Sequence, residues 1–352
     1  MTFSISGAQP TTGVHAFTTP RGGALDVATD AVTAPSNSPT RARDPFAGFD
    51  REALAQNAAM RDALRGGTLV QDPRGRMASS GITGPPQLVQ VTDAKLGTVP
   101  AIRKQGVGTY PLAEEFATDL AERMGIGYLG APSVEGDGAV ITELVTGTQA
   151  RKAHVLSSRD LEQAIAGELR ARVPGATMAE VADRARIDRQ LVQVFDHALA
   201  IPDRHGRNLM VDPGRRVTMI DHSELLGGTA NGVAGEPRMM RRYMSGVTTL
   251  GARQQVPIDA DVRALIAERM PAGTIDTMLG QLRARPGFGP ATAGKLVDDG
   301  LARTIGERLD DVVTSGVARY RYDAKLEFVF EHFGNLIDDY PKLASLVTKF
   351  HR

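Results

Sequence analysis

A short apolar hairpin late in the chain constrains the fold more than any other segment. Two apolar runs, Leu209–Val211 and Val217–Ile220, flank Asp-Pro-Gly at 212–214. This tripeptide favours a tight turn, because proline presets its own backbone angle while Asp and Gly tolerate the conformations that turns require. The pattern therefore predicts a two-stranded ribbon that brings Asn208 and Asp221 to the same end.

Polar residues border this hairpin in a specific order. Asp203 and Asn208 lie just before the first strand, and Asp221 follows the second strand directly. Carboxylate and amide oxygens are the ligands that hard cations such as Mg²⁺ prefer. The sequence thus predicts a divalent-metal site at Asn208 and Asp221. The alternative is a polar turn without chemistry, since Asp, Asn and Gly are common in turns.

The motif Asp203-Arg204-His205, with Asn208 and the later Ile220-Asp221, resembles the catalytic and metal-binding loops of one kinase branch. This is the phosphatidylinositol 3-/4-kinase branch of the protein-kinase-like superfamily, a group that also contains actin-fragmin kinase and the HipA-like kinases. The resemblance covers residues 78–245. It implies an α+β, two-lobed protein-kinase-like fold with a small β-rich N-lobe and a helical C-lobe, and it implies ATP with Mg²⁺ or Mn²⁺ as cofactors.

The resemblance also implies a role for each polar residue of the two loops. Asp203 would position or deprotonate the acceptor hydroxyl, and His205 would stabilise the phosphoryl group during transfer. Asn208 and Asp221 would hold the Mg²⁺ that bridges the nucleotide phosphates. Ordinary protein kinases have Asp-Phe-Gly in the second loop, whereas this chain has His222-Ser223 after the aspartate. That departure keeps the metal ligand but not the pair that ordinary activation-loop switching uses.

Lys104 is the candidate for contacting the nucleotide phosphates. The chain contains only seven lysines, and Lys104 ends an apolar strand pattern that begins at Thr98. The resemblance implies a glutamate on the following helix that holds this lysine in place, and Glu115 fits that position better than Glu114. Either glutamate could instead be a solvated residue near a helix N-terminus, where acidic side chains are favoured.

Two backbone segments complete the predicted nucleotide site. The Gly- and Ser-rich stretch 78–84 precedes a strand at Leu88–Val91, and its N–H groups could cradle phosphates or simply form a linker. The apolar strand Ala139–Val145 resembles the strand that enters the hinge between the lobes of a kinase. The backbone from Glu143 to Val145 would then pair with the adenine edge.

Composition suggests three regions along the 352 residues. Residues 1–48 lack Lys and Glu and are rich in Ser, Thr, Gly and Pro, which predicts a disordered segment. Such a head resembles the secretion segment of bacterial type III effectors, although an ordinary disordered tail has the same composition. Residues 49–148 would form a helix and the N-lobe, and residues 149–352 would form the helical C-lobe, including helices at 158–170 and 178–200.

Overall composition excludes some functions and partners. The formal net charge is zero, so no global field would recruit nucleic acid. No apolar run is long enough for a transmembrane segment, and no signal peptide is evident. The absence of cysteine excludes disulfides and thiol catalysis. These features fit a cytoplasmic protein, or one that a bacterium secretes into the host cytoplasm.

Three classes of activity are compatible with these motifs. The first is a Ser/Thr protein kinase that acts on a host protein. The second is a phosphoinositide or small-alcohol kinase, which the basic run Arg238-Met239-Met240-Arg241-Arg242 in the activation-segment position permits. The third is a pseudokinase scaffold or an enzyme with this fold that transfers AMP.

Overall fold

Alternating apolar residues form the two central strands of an N-terminal sheet in this computed structural model. The structure describes residues 44–76, 86–105, 110–150, 153, 158–199, 208–212, 214, 216–220, 222, 255–284 and 299–319. The chain divides into two units, Met1–Asp44 and Pro45–Arg352, and all the described helices and strands belong to the second.

Five strands form the first sheet in the order β1-β2-β3-β5-β4, with every neighbouring pair antiparallel. Their bounds are Thr68–Arg76, Gln87–Asp93, Gly97–Gln105, Ser133–Gly136 and Ala139–Glu143, for β1, β2, β3, β4 and β5 respectively. A tight turn joins β2 to β3, because the Asp93 carboxylate accepts hydrogen bonds from the N–H groups of Lys95 and Leu96 at 2.7 and 2.9 Å.

One face of this sheet is closed by the helix that precedes it, α1 (Ala47–Gly66). Leu64 of α1 packs on buried sheet residues, namely Val89, Val91, Ala101, Val134 and Ile141. Gly67 ends the helix where the chain passes close to β2, since a Cβ there would lie 2.5 Å from a Val91 methyl carbon.

The remaining helices bury apolar stripes against a larger core. Their bounds are Tyr110–Met124 (α2), Ser158–Arg172 (α3), Met178–Leu199 (α4), Ala260–Arg269 (α5), Thr274–Arg283 (α6) and Asp299–Ser315 (α7), and a single 3₁₀ turn spans Gly127–Leu129. The apolar stripe of α2 is buried, with Leu112, Phe116, Leu120 and Met124 at most 2% exposed. Thr177 and Glu180 start α4 by bonding to each other's backbone N–H, which is a capping box.

Two small sheets complete the part of the fold that the structure describes. Strands β6 (Thr148–Gln149), β7 (Leu209–Val211) and β8 (Val217–Met219) form one, and β9 (Gln255–Pro257) pairs with β10 (Val317–Arg319) in the other. An antiparallel sheet followed by helices confirms the predicted α+β class. No helix in the described part of the chain is long and apolar enough to cross a membrane.

Candidate functional site

The predicted hairpin forms and is held on both sides. Leu209 pairs with Met219 across β7 and β8, and the N–H of Ile220 donates to the carbonyl oxygen of Asn208 at 3.0 Å. Asn208 is buried at 6% exposure. Asn208 and Ile220, the residue before Asp221, thus meet at one end of the ribbon. Asp221, like Asp203 and His205, lies outside the described residues.

Backbone contacts with neighbouring segments fix the position of this hairpin. The N–H of Ala131 donates to the Met219 carbonyl oxygen at 3.1 Å, and the N–H of Ala150 donates to the Leu209 carbonyl oxygen at 2.8 Å. Gly147 runs so close to β7 that a Cβ would lie 2.7 Å from the Val211 carbonyl oxygen. Only glycine permits this approach without a backbone shift. The segment after β5 therefore packs directly against the hairpin.

Glu114 of α2 anchors the chain immediately after Asp221. Its Oε2 accepts a hydrogen bond from the backbone N–H of His222 at 2.9 Å and lies 3.4 Å from the His222 Nδ1. The His222 ring is 2% exposed and packs edge-on against Phe195 with centroids 5.6 Å apart. His222 is therefore a buried side chain rather than a solvated one, and its backbone N–H is held by Glu114.

Lys104 lies on the sheet face that α1 does not cover. The register pairs Lys104 with Val140 and pairs Ile102 with Leu88, so these four side chains share one face because directly opposed residues point the same way. Leu88, Ile102 and Lys104 are half-buried, whereas the alternate residue Ala101 is fully buried on the α1 side. A contact of Lys104 with the nucleotide phosphates stays a prediction.

Glu115 is fully buried and has several partners. Its Oε1 accepts from Arg65 at 2.7 Å and from Arg61 at 3.3 Å, and its Oε2 accepts from the backbone N–H of Glu135 at 2.9 Å. The alternative of a solvated N-terminal glutamate is wrong for both residues, because Glu114 and Glu115 are 3% and 0% exposed. A link from Glu115 to Lys104 stays a prediction.

The segment predicted to contact adenine already uses two of its N–H groups. The N–H of Glu143 donates to the Pro132 carbonyl oxygen at 3.1 Å, and the N–H of Leu144 donates to the Pro100 carbonyl oxygen at 3.0 Å. A nucleobase at this position would have to use other backbone groups, among them the N–H of Val145. Burial also raises the pKa of Glu143, against the opposing effect of the Arg216 charge.

A buried glutamate behind the hairpin was not predicted. Glu168 of α3 is 3% exposed, and the backbone N–H of Val217 on β8 is one of the groups that favour its charged form. Its nearest cations are Arg172 at 3.5 Å and Arg216 at 3.8 Å. Burial raises the pKa of Glu168 to about 7. Nothing in the helix pattern of α3 marks this residue, since glutamate is common on exposed helix faces.

One of the two predicted metal ligands, Asn208, lies among the described residues. Within the ranges that the structure describes, no group of three or more His, Asp or Glu side chains has the arrangement of a metal site. Asn208 supplies a buried amide at the hairpin end, and the second predicted ligand, Asp221, lies between the described residues Ile220 and His222. The oxygen-donor set of Asn208 and Asp221 is the type that Mg²⁺ takes.

Comparison with known proteins gives likenesses in structure but no match in sequence. No protein-family model matches the chain, and no curated protein matches it in sequence. Among solved structures, the chain is similar to the crystal structure of a Helicobacter pylori proinflammatory kinase, CtkA. The TM-score is 0.34 and the sequence identity is 11%, and the likeness covers 66% of this chain and 91% of that chain.

Proposed function

We propose that this protein is an ATP- and Mg²⁺-dependent phosphotransferase, and that it acts as a Ser/Thr protein kinase on a host protein. The observation that carries the proposal is the anchored hairpin. Asn208 and Ile220 meet at one end of it, and Glu114 binds the N–H of His222. In the sequence, Asp221 lies between Ile220 and His222, whose backbone N–H groups both have partners.

The proposed mechanism assigns one task to each side chain. Lys104 contacts the α- and β-phosphates, and Asn208 and Asp221 are the oxygen ligands of the metal. Held by Asn208 and Asp221, Mg²⁺ would supply positive charge next to the phosphates. Asp203 orients the acceptor hydroxyl and accepts its proton as the hydroxyl oxygen attacks the γ-phosphorus. The bond from that phosphorus to the β–γ bridging oxygen breaks, and ADP leaves. His205 donates to the oxygens of the transferring phosphoryl group.

Adenine would bind beside the end of β5. The N–H groups of Glu143 and Leu144 are committed to carbonyl oxygens of the protein, which leaves Val145 as the proposed N–H donor. Half-buried Leu88 and Ile102 would offer apolar contacts on the same sheet face as Lys104. Flat apolar walls with a few backbone polar groups are typical of small-molecule sites.

A protein acceptor is favoured over a lipid one by charge. The formal net charge of the chain is zero. No helix of the described part is long and apolar enough to cross a membrane. Holding a kinase on an anionic membrane generally requires a basic surface or an amphipathic helix. The composition of residues 1–48 supports export into a host cell, where such a protein substrate would be met.

Magnesium-dependent nucleotide binding tests this proposal. ATP should raise the melting temperature of the wild type more with Mg²⁺ than without it. Asp221→Ala should remove the Mg²⁺-dependent part of the shift, and Asn208→Ala should raise the Mg²⁺ concentration that the shift requires. Asp310→Ala, an exposed carboxylate on α7, is the matched control and should behave as the wild type does. An unchanged Mg²⁺-dependent shift in Asp221→Ala would rule out its metal role.

A further inference from the structure

Two arginines on α1 hold the buried face of α2. Arg65 donates to Glu115 at 2.7 Å, and Arg61 bonds to Glu115, to Asp119 and, at 3.0 Å, to Glu122. All three acidic residues are on α2, spaced three and four positions apart. They therefore form one stripe of that helix. The side chain of Glu115 is fully buried, so its charge depends on these partners.

The opposite end of α1 is fixed to the helical part of the protein. Arg184 of α4 donates to Asp50 of α1 at 2.8 Å and to Asp188 at 2.8 Å. Asp188 accepts from the Tyr128 hydroxyl at 2.6 Å, and the Tyr128 ring packs edge-on against Phe49 of α1. Helix α1 thus joins the helical part to the sheet, with α2 held beside its C-terminal end.

Helix α2 connects this arrangement to the hairpin. Glu115 faces α1 and the backbone of Glu135, while its neighbour Glu114 accepts the N–H of His222. A movement of α2 toward or away from α1 would therefore move the acceptor that holds the chain after Asp221. Coupling of this kind needs a rigid element that contacts both parts of the protein. Helix α2 contacts α1 through Glu115 and the chain after the hairpin through Glu114.

We propose that Arg65 and Arg61 are positioning residues for the phosphotransfer site, and that α1 is the built-in element that sets the position of α2. This inference rests on the proposed function. Arg65 is the adjustable contact, because its side chain is 41% exposed and lies in the last turn of α1, whereas the side chain of Arg61 is only 11% exposed and has three acidic partners.

Hydrogen exchange and steady-state kinetics on the full chain test this role together. The variants are Arg65→Gln and Arg65→Lys, with Arg51→Gln as the matched control on an exposed position of the same helix. In Arg65→Gln we expect the Glu135 amide and the first turns of α2 to exchange about tenfold faster. We also expect kcat/KM for ATP to fall about tenfold. Arg65→Lys, which keeps the charge, should recover part of both, and Arg51→Gln should match the wild type.

The outcomes separate this inference from the proposed function. Faster exchange with unchanged kcat/KM would overturn the positioning role and leave Arg65 as a structural contact. Unchanged exchange at Glu135 would overturn the claim that Arg65 holds Glu115. If the wild type transfers no phosphate, the proposed function fails instead. The link from α1 to the site is then decided by exchange at residues 208–220, which should also accelerate in Arg65→Gln.

Discussion

Glu114 and Glu115 are adjacent in the chain, yet their carboxylates serve different parts of the molecule. Glu115 bonds to Arg61 and Arg65 on α1, and Glu114 bonds to the N–H of His222. Successive helix positions point about 100° apart, so two adjacent residues can face two different neighbours. Because both are buried, each carboxylate requires its own hydrogen-bond partners.

At this scale the first prediction concerns Asp203. Asp203→Ala should nearly abolish phosphoryl transfer while leaving ATP binding close to that of the wild type, because Asp203 acts on the acceptor and not on the nucleotide. Turnover and ATP-induced stabilisation, measured on the same preparation, check this. A variant that kept most of its turnover would show that the loop is wrongly assigned.

The second prediction concerns the pH dependence of stability at Glu168. Burial raises its pKa from an ordinary value of 4.5 to about 7, so the folded state retains a proton that the unfolded state releases. The contribution of Glu168 to stability is therefore fully present below pH 4.5 and is lost as the pH rises through about 7. Glutamine does not titrate, so Glu168→Gln removes this dependence. The free energy of unfolding of the variant, relative to that of the wild type, should therefore rise by up to about 3 kcal/mol between pH 5 and pH 8.

Denaturant unfolding of both proteins across that pH range is the measurement. Glu168→Gln also removes the ion pairs with Arg172 and Arg216. In the wild type these ion pairs exist only while Glu168 is ionised. The slope against pH is therefore more informative than the absolute stability. Parallel curves for the two proteins would show that Glu168 does not titrate in this range.

At the scale of elements, α2 is the part that joins the sheet, α1 and the hairpin. Glu114→Ala leaves the buried N–H of His222 without its acceptor, which should cost about 1–3 kcal/mol of stability. The same change should weaken Mg²⁺-dependent ATP binding, because the chain after Asp221 loses its anchor. Glu114→Gln keeps an acceptor oxygen and should stay near the wild type in both respects.

Chemical unfolding and nucleotide titrations of these two variants give the answer. The comparison between Ala and Gln separates the hydrogen bond from the negative charge, since only the first is retained in Gln. Equal weakening of Mg²⁺-dependent binding in both variants would mean that the charge of Glu114, and not its bond to His222, matters at the site.

The sequence allowed most elements to be predicted, but not all of them. The strands β2, β3 and β5, the helices α1 to α4 and the hairpin of β7 and β8 were recognisable from local period and turn chemistry. Strand β1 was missed because Asp72-Pro73-Arg74-Gly75 has the composition of a turn. The pattern from Tyr128 to Val134 is typical of a strand, but this segment begins as a 3₁₀ turn, and β4 starts only at Ser133.

The site was predictable to the extent that its chemistry is local in sequence. Asn208 and the hairpin could be predicted from residues adjacent in the sequence. Lys104 could be predicted from its place at the end of a strand pattern. The contacts of Glu114 with His222 and of Glu115 with Arg65 join residues 108 and 50 positions apart. Such partners depend on tertiary packing, which a single sequence does not reveal. The arginines at 61 and 65 do share a helix face by their four-residue spacing, and this was the only available sign.

At the scale of the whole molecule, α1 should be indispensable and the segment before it dispensable. Phe46 and Phe49 are buried, and Asp50 binds Arg184. Deletion of residues 1–43 should leave the melting temperature unchanged, because a segment of that composition buries too little apolar area to offset its ordering entropy. Deletion of residues 1–50 should lower it markedly. A large loss in the shorter deletion would mean that this segment docks on the protein.

Phosphate transfer from labelled ATP tests the central claim most directly. Wild-type protein would be incubated with Mg²⁺ and either γ-labelled or α-labelled ATP, in parallel with host-cell lysate and with phosphatidylinositol vesicles. Our account predicts label on protein Ser or Thr from γ-labelled ATP only, with little label on lipid. Lipid labelling that is lost when Arg238, Arg241 and Arg242 are replaced by Gln would favour the lipid kinase. Incorporation from α-labelled ATP, or from neither nucleotide, would contradict the account.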